Sequence, residues 1–213
     1  MSKITVVSNV LKANDDAAAD NRRVLDAAGV VAINLISAPG SGKTSLLERT
    51  ITDLPELATA VLVGDLQTSR DAERVAEKAR AAVQINTGRG CHLSAEQVRE
   101  GLKALDLDDI DRVFIENVGN MVCPVSFDLG EHHRVALLSV PEGDDKVAKY
   151  PTLFQSADVV ILNKIDLLDV LDFELDRVRD DLARVNTGAP FIQLSTKTGQ
   201  GLDDWYTWLR DRG

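Results

Sequence analysis

Ile33-Asn34-Leu35-Ile36-Ser37-Ala38-Pro39-Gly40-Ser41-Gly42-Lys43-Thr44-Ser45-Leu46-Leu47 constrains this chain more than any other stretch. An apolar run ending at Ser37 reads as a buried strand, the glycines as a turn, and Lys43-Thr44 as the opening of an amphipathic helix. Strand, glycine-bearing turn and helix in that order build a phosphate-binding loop. Gly40 and Gly42 allow the backbone to point successive N–H groups at phosphate oxygens. The new helix adds its free N–H groups and the positive end of its dipole. Lys43 is expected to reach the β- and γ-phosphates and the Thr44 hydroxyl to hold Mg²⁺, with Ser41 and Ser45 beside them in the nucleotide site. The motif G-x-x-x-x-G-K-[ST] has one departure, Ser37 in place of its first glycine. The competing reading is an ordinary glycine-rich turn, which gives no reason for Lys-Thr at this point.

With 213 residues, 44% hydrophobic and 27% charged, the chain has enough material for one α/β domain with a full core. A formal charge of −10 argues against a nucleic-acid backbone or an anionic membrane as main partner, and leaves metal cations open. No apolar run approaches the ~20 residues that span a bilayer. Met1-Ser2-Lys3-Ile4-Thr5 lacks the apolar core of a signal peptide, so the expected location is cytoplasmic. Cys91 and Cys123 are the two cysteines, and in a reducing compartment no structural disulfide is expected.

Residues 1–29 read as an N-terminal extension with a helix over 15–28, its apolar face formed by Val24, Leu25 and Ala28, and Gly29 as its stop. Strands are expected at 30–36, 59–63, 83–86, 112–115, 135–140, 158–162 and 191–194. Helices are expected after the phosphate loop as far as Asp53, around Ala72, Val75, Ala76 and Ala79, from a capping box at Ser94-Ala95-Glu96-Gln97 through Leu105, over 173–185, and at the end with Leu202, Trp205, Trp208 and Leu209. Residues 143–151 read as a polar crossover. This alternation predicts an α/β P-loop NTPase sandwich of three layers, a mostly parallel sheet with helices on both faces, over residues 30–213. Ligands of such sheets gather at the carboxyl ends of the strands. The motifs at 37–44, 64–65, 116–119, 163–166 and 195–197 each follow an expected strand.

Asn163-Lys164-Ile165-Asp166 is the N-K-x-D element that reads guanine. The Asp166 carboxylate can accept from both N1–H and the 2-amino group of guanine, and facing adenine it would stand unpaired at a cost of ~1–3 kcal/mol. The Lys164 stem is expected along the base, with Asn163 bracing the loops and Ser195-Thr196-Lys197 supporting them. GTP is therefore expected over ATP. Glu116-x-x-Gly119 stands where GTPases place D-x-x-G, so Glu116 is expected near Mg²⁺ and the Gly119 N–H near the γ-phosphate. Asp65 is a candidate for Mg²⁺ or the attacking water, and Asn120 occupies a position where some GTPases orient that water with glutamine. Lys43, Asp65, Glu116 and Gly119 form the candidate catalytic set, and slow hydrolysis is expected, not well above ~1 s⁻¹ without a partner.

Cys91, His92 and Cys123 lie in loops beside these strands. Thiolates and imidazole suit Ni²⁺ or Zn²⁺ and not Mg²⁺. Buried small hydrophobes or a redox disulfide are the competing readings for the cysteines. Adjacent residues of an extended segment point apart. Cys91 and His92 can therefore grip one ion only if the 88–90 loop turns sharply, or else serve two ions across a symmetric interface.

The phosphate loop, Gly90-Cys91-His92-Leu93, Glu116-Asn117-Val118-Gly119-Asn120 with Cys123-Pro124, and Asn163-Lys164-Ile165-Asp166 together resemble the HypB family of hydrogenase nickel-incorporation GTPases, from about residue 30 onward. The resemblance implies a metallochaperone that dimerises around GTP and delivers nickel for [NiFe]-hydrogenase maturation. It implies Cys91, His92 and Cys123 as metal ligands at the dimer interface. Its implied partners are a second copy, an accessory nickel-maturation protein and the hydrogenase large-subunit precursor. Some members carry an N-terminal cysteine motif or a histidine-rich stretch; this sequence has neither, so an N-terminal nickel site and nickel storage are not expected. His132 and His133 are read as surface residues near the metal loop.

Three rivals stand beside this reading. The related urease accessory GTPase UreG carries Cys-Pro-His, whereas here Cys123-Pro124 is followed by Val125. A P-loop small-molecule kinase would need no guanine reader. A metal carrier with a purely structural nucleotide would not hydrolyse it.

Overall fold

β1 (Val31–Ser37), β2 (Thr59–Asp65), β3 (Ala81–Asn86), β4 (Arg112–Glu116), β5 (His133–Ser139), β6 (Val159–Asn163) and β7 (Phe191–Gln193) form one 7-stranded parallel sheet in the order β3-β2-β4-β1-β5-β6-β7. The helices are α1 (Lys3–Ala28), α2 (Lys43–Asp53), α3 (Arg70–Ala76), α4 (Ala95–Lys103), α5 (Lys146–Lys149), α6 (Pro151–Gln155), α7 (Leu175–Val185) and α8 (Leu202–Arg210). This computed structural model describes residues 3–65, 70–88 and 90–212, and side chains from Leu11 onward except those of Asp65 and Arg70.

The interiors of β2, β4 and β6 are continuous apolar runs because helices cover both faces of the sheet, while β1 carries one buried polar residue, Asn34. Leu35, Phe114, Leu137 and Ile161 pack with α2 and α8 on one side. Ala32, Leu62 and Ile115 pack with Leu25 of α1 and Val98 of α4 in a second cluster. α8 buries Leu202, Trp205, Trp208 and Leu209 as expected. The Trp205 indole donates to Thr50 Oγ1 at 2.9 Å, so its polar atom is satisfied inside the core.

Each strand ends at the carboxyl edge on a polar residue: Ser37, Asp65, Asn86, Glu116, Ser139, Asn163 and Gln193. The apolar interior therefore opens into a polar rim beside the central strand β1, where parallel sheets place ligands.

Two expectations need correction. α1 begins well before residue 15, and its buried face is Asn14, Ala17, Ala18, Asn21 and Leu25, while Val24 and Ala28 face outward. Amide side chains that hydrogen-bond backbone groups of other elements occupy positions that an apolar-only reading leaves to solvent. The 143–151 crossover contains α5 and leads into α6, because Val147, Leu153 and Phe154 find a common core.

Candidate functional site

The turn between β1 and α2 bends back over the carboxyl edge and forms one wall of a cleft of ≈ 470 Å³. Gly42 sits at φ 101°, in the left-handed region, as N-cap of α2. A Cβ there would come within 2.5 Å of Asn163 Nδ2, so the position requires glycine on two counts. Ser37 replaces the motif's first glycine without strain because it is still the last residue of β1. Its hydroxyl accepts from Lys43 Nζ at 2.8 Å. Burial pushes the Lys43 ammonium below its ordinary range, and the Glu116 carboxylate opposes that shift.

Thr44 Oγ1 donates to Glu116 Oε1 at 2.7 Å, and the other carboxylate oxygen is buried with no hydrogen-bond partner. Burial raises the Glu116 carboxyl, against the pull of Thr44 and Lys43. A hydroxyl and a half-satisfied buried carboxylate facing one cleft are oxygen donors of the kind Mg²⁺ takes. Ser45, Asp71, Arg74 and Gly119 also line the cleft. Sequence pattern does not single out Asp71 or Arg74; the acidic candidate it offers after β2 is Asp65. The Asp65 side chain lies outside the described residues.

The elements expected to read the base converge on the same loop. Asn163 Nδ2 donates to the Ser41 carbonyl at 2.9 Å, and Asn163 Oδ1 accepts from the Thr196 N–H at 3.2 Å. Ser195 Oγ donates to Asp166 Oδ1 at 2.6 Å, and Lys197 Nζ stands 4.0 Å from the other Asp166 oxygen. Lys164 takes φ 63°, the one positive φ outside glycine among the described residues, and its ammonium donates to the Gly40 carbonyl at 2.6 Å. A lysine held in that sparsely allowed region marks a place where loop geometry overrides local preference.

The ligating atoms of Cys91, His92 and Cys123 all lie within 4.8 Å of one another. The sharp turn required for this is present: the Gly90 N–H donates to the Thr87 carbonyl at 2.9 Å, and Cys91 Sγ then lies 3.5 Å from His92 Nδ1. The His92 ring stacks on Phe127 with centroids 3.9 Å apart. Hydrogen bonding between the two thiols raises that of Cys91 and lowers that of Cys123, and Asn120 adds to the lowering. Burial lowers the His92 imidazole, which favours the neutral form that binds metal. Both cysteines are free thiols.

Asn120, a water-orienting position by its sequence context, has a different place in the structure. Its side chain joins the two metal loops, donating to the Cys91 carbonyl at 3.2 Å and accepting from the Val122 N–H at 2.8 Å. Asn117 does the same one layer deeper, accepting from the Leu93 N–H at 3.2 Å. His132 and His133 are not near this site. His133 begins β5 at the opposite edge of the sheet and His132 precedes it; there His132 Nδ1 accepts from the Ala32 N–H at 2.9 Å and its Nε2 meets Asp26 at 2.9 Å.

The family model described as "CobW/HypB/UreG, nucleotide-binding domain" matches residues 31–193. The chain is 50% identical to the hydrogenase maturation factor HypB of Rhizobium leguminosarum bv. viciae, over 97% of this chain and 69% of that protein. It is 45% identical to HypB of Escherichia coli strain K12, over 97% of this chain and 71% of that one. Among solved structures, HypB from Helicobacter pylori in complex with nickel superposes with a TM-score of 0.90 at 41% identity, covering 93% of this chain and 94% of that chain. HypB from Archaeoglobus fulgidus superposes with a TM-score of 0.89 at 40% identity, covering 94% and 98%. Fold, nucleotide-binding domain and a likeness over nearly all of this chain agree, and the chain belongs to the HypB family of hydrogenase maturation factors.

Proposed function

We propose that this chain is a slow GTPase that binds nickel, forms a homodimer around GTP and delivers the metal in the cytoplasm for [NiFe]-hydrogenase maturation. The observation that carries the reading is the position of one segment. Gly119 lines the nucleotide cleft beside Pro39, and the following Asn120 holds both metal-bearing loops. A γ-phosphate drawing in the Gly119 N–H would move Asn120 with it and reset the spacing of Cys91 and Cys123. Nickel is the cargo of this reading, and the similar HypB of Helicobacter pylori was solved in complex with nickel. Zn²⁺ suits the same donors.

Asp166 selects guanine, with Asn163, Lys164, Ser195, Thr196 and Lys197 fixing its loop. Gly40, Ser41, Gly42, Lys43 and Ser45 hold the phosphates. Thr44 and Glu116 would hold Mg²⁺, which supplies neutralisation of phosphate charge when bound. Asp65 retains its candidate role there. The partners of this reading are a second copy, an accessory nickel protein and the hydrogenase large-subunit precursor, with no nucleic acid or membrane. Among the described residues no helix is long and apolar enough to cross a membrane.

Nickel titrations with GDP and with a non-hydrolysable GTP analogue test the coupling. Affinities differing by tenfold or more are expected; equal affinities exclude it. GTP turnover measured alongside separates a switch from a carrier whose nucleotide is structural.

A further inference from the structure

The metal loops are held together near the ligands by Asn120, but their roots are joined by an element that contributes no ligand. Ala95, the first residue of α4, follows Cys91 and His92 by one short segment. Asp128 and Leu129 close the loop that carries Cys123. α1 bridges the two roots with a pair of buried asparagines. Asn14 accepts from the Ala95 N–H at 2.9 Å and donates to the Asp128 carbonyl at 2.8 Å. Asn21, two helical turns on, donates to the Ala95 carbonyl at 2.8 Å and to the Leu129 carbonyl at 2.9 Å. Arg22 continues the row with a hydrogen bond to the Glu131 carbonyl and an ion pair to Asp128 at 3.7 Å.

The fit is close. Gly130 lies at φ 87°, and a Cβ there would stand 2.6 Å from both the Ala18 carbonyl oxygen and Asn21 Cβ. A loop root built around a glycine, against a helix whose buried face holds two amides bonded to both roots, is specified in position and not merely covered. Leucine at either asparagine would fill the space equally well. It would not fix the distance between the loops, because apolar packing is not directional. Amide hydrogen bonds are directional.

We infer that Asn14 and Asn21 are positioning residues for the Cys91–His92–Cys123 metal site, with α1 as the brace that sets the spacing of the two loops. The inference rests on the proposed metal site, and it adds that docking of α1 and binding of the ion favour each other. Withdrawal of α1 lets the loops part, and a bound ion holds α1 down by linkage.

The test is Ni²⁺ affinity by competition against a chelator, on the full chain, for wild type, Asn14→Leu, Asn21→Leu and Cys123→Ala. GDP affinity is measured on each. Both leucine variants should lose tenfold or more in Ni²⁺ affinity, weaken the sulfur-to-nickel charge-transfer absorption, and keep GDP affinity within twofold. Cys123→Ala binding Ni²⁺ as wild type does would overturn the metal site itself, and this inference with it. Loss in Cys123→Ala beside unchanged leucine variants would overturn only the brace. Should a leucine variant fail to fold, hydrogen exchange on the wild-type chain decides. Ni²⁺ should slow exchange of the Ala95 amide, and an unchanged rate refutes the coupling.

Discussion

Asn120 donates its side-chain amide to the Cys91 carbonyl at 3.2 Å from a position next to Gly119, whose Cβ-less backbone lies against Pro39 of the phosphate loop. The nucleotide cleft and the Cys91–His92–Cys123 cluster therefore meet in adjacent residues. Asn120→Ala removes the bond to Cys91 and the acceptor used by the Val122 N–H, each worth about 1 kcal/mol. GTP affinity should stay within twofold, since Asn120 is not among the cleft-lining residues. The ratio of nickel affinities between the GDP and GTP-analogue states should fall by roughly tenfold, from the same hydrogen-bond energies. Paired titrations in both nucleotide states measure this; an undiminished ratio would assign the coupling elsewhere.

Glu116 predicts a pH dependence of stability whose sign follows from its burial. Its carboxyl is raised, so the folded chain holds this proton more tightly than the unfolded chain. Stability from this group is present at low pH and is lost as pH rises through the carboxylate range to the raised folded value. Glu116→Gln keeps an acceptor for Thr44 and removes the buried charge. Without Mg²⁺ the variant should melt above wild type at pH 8, by roughly 2–4 °C for each kcal/mol relieved. The gap should close toward pH 4. Mg²⁺-dependent nucleotide affinity should drop by tenfold or more. Melting curves that stay parallel across pH would mean that this carboxylate carries no such cost.

The nucleotide half of the site is legible in the sequence because each element is short, contiguous and tied to a strand end. Ser37, Glu116 and Asn163 fall where the end of an apolar run places them, and Lys43 and Thr44 where the glycine turn after one opens a helix. The candidate metal ligands are legible as residue types, and their meeting depends on a turn at Thr87–Gly90 that spacing allows without requiring. The buried asparagines are not legible. Asn14, Asn21, Asn34 and Asn117 look like surface residues in a hydrophobicity pattern, and only their distant backbone and side-chain partners make burial tolerable. Asp71 and Arg74 escape notice for a related reason: nothing in the charged sequence of α3 indicates which of its charges will turn toward the cleft.

Asp166 accepts from Ser195 at 2.6 Å, which leaves its second oxygen for a ligand and fixes the carboxylate plane. Asp166→Asn replaces the acceptor facing the guanine 2-amino group with an amide N–H that donates. Affinity for GTP should fall by one to two orders of magnitude, the equivalent of roughly 1–3 kcal/mol. Xanthine nucleotides, which present an acceptor at the altered position, should gain. Competition binding with GTP, XTP and ATP reads all three. If ATP binds wild type as well as GTP does, the guanine assignment is wrong.

Nickel binding should strengthen as pH rises, because thiolate and imidazole must shed protons to bind. The directions at this site apportion the effect. Burial lowers the His92 imidazole, so its share of the proton release falls toward the acid end of the range. Hydrogen bonds from Cys91 and Asn120 lower the Cys123 thiol. Cys91 is raised and gives up its proton last. Between pH 6.5 and 8 the logarithm of nickel affinity should therefore climb, with release of up to about two protons per ion. Cys91→Ser should flatten the slope, since a serine hydroxyl does not ionise in this range, and should cost more affinity at pH 8 than at pH 6.5. Titrations in two buffers of different ionisation enthalpy count the protons directly. A slope that Cys91→Ser leaves unchanged would remove Cys91 from the coordination sphere and return the proton to another group.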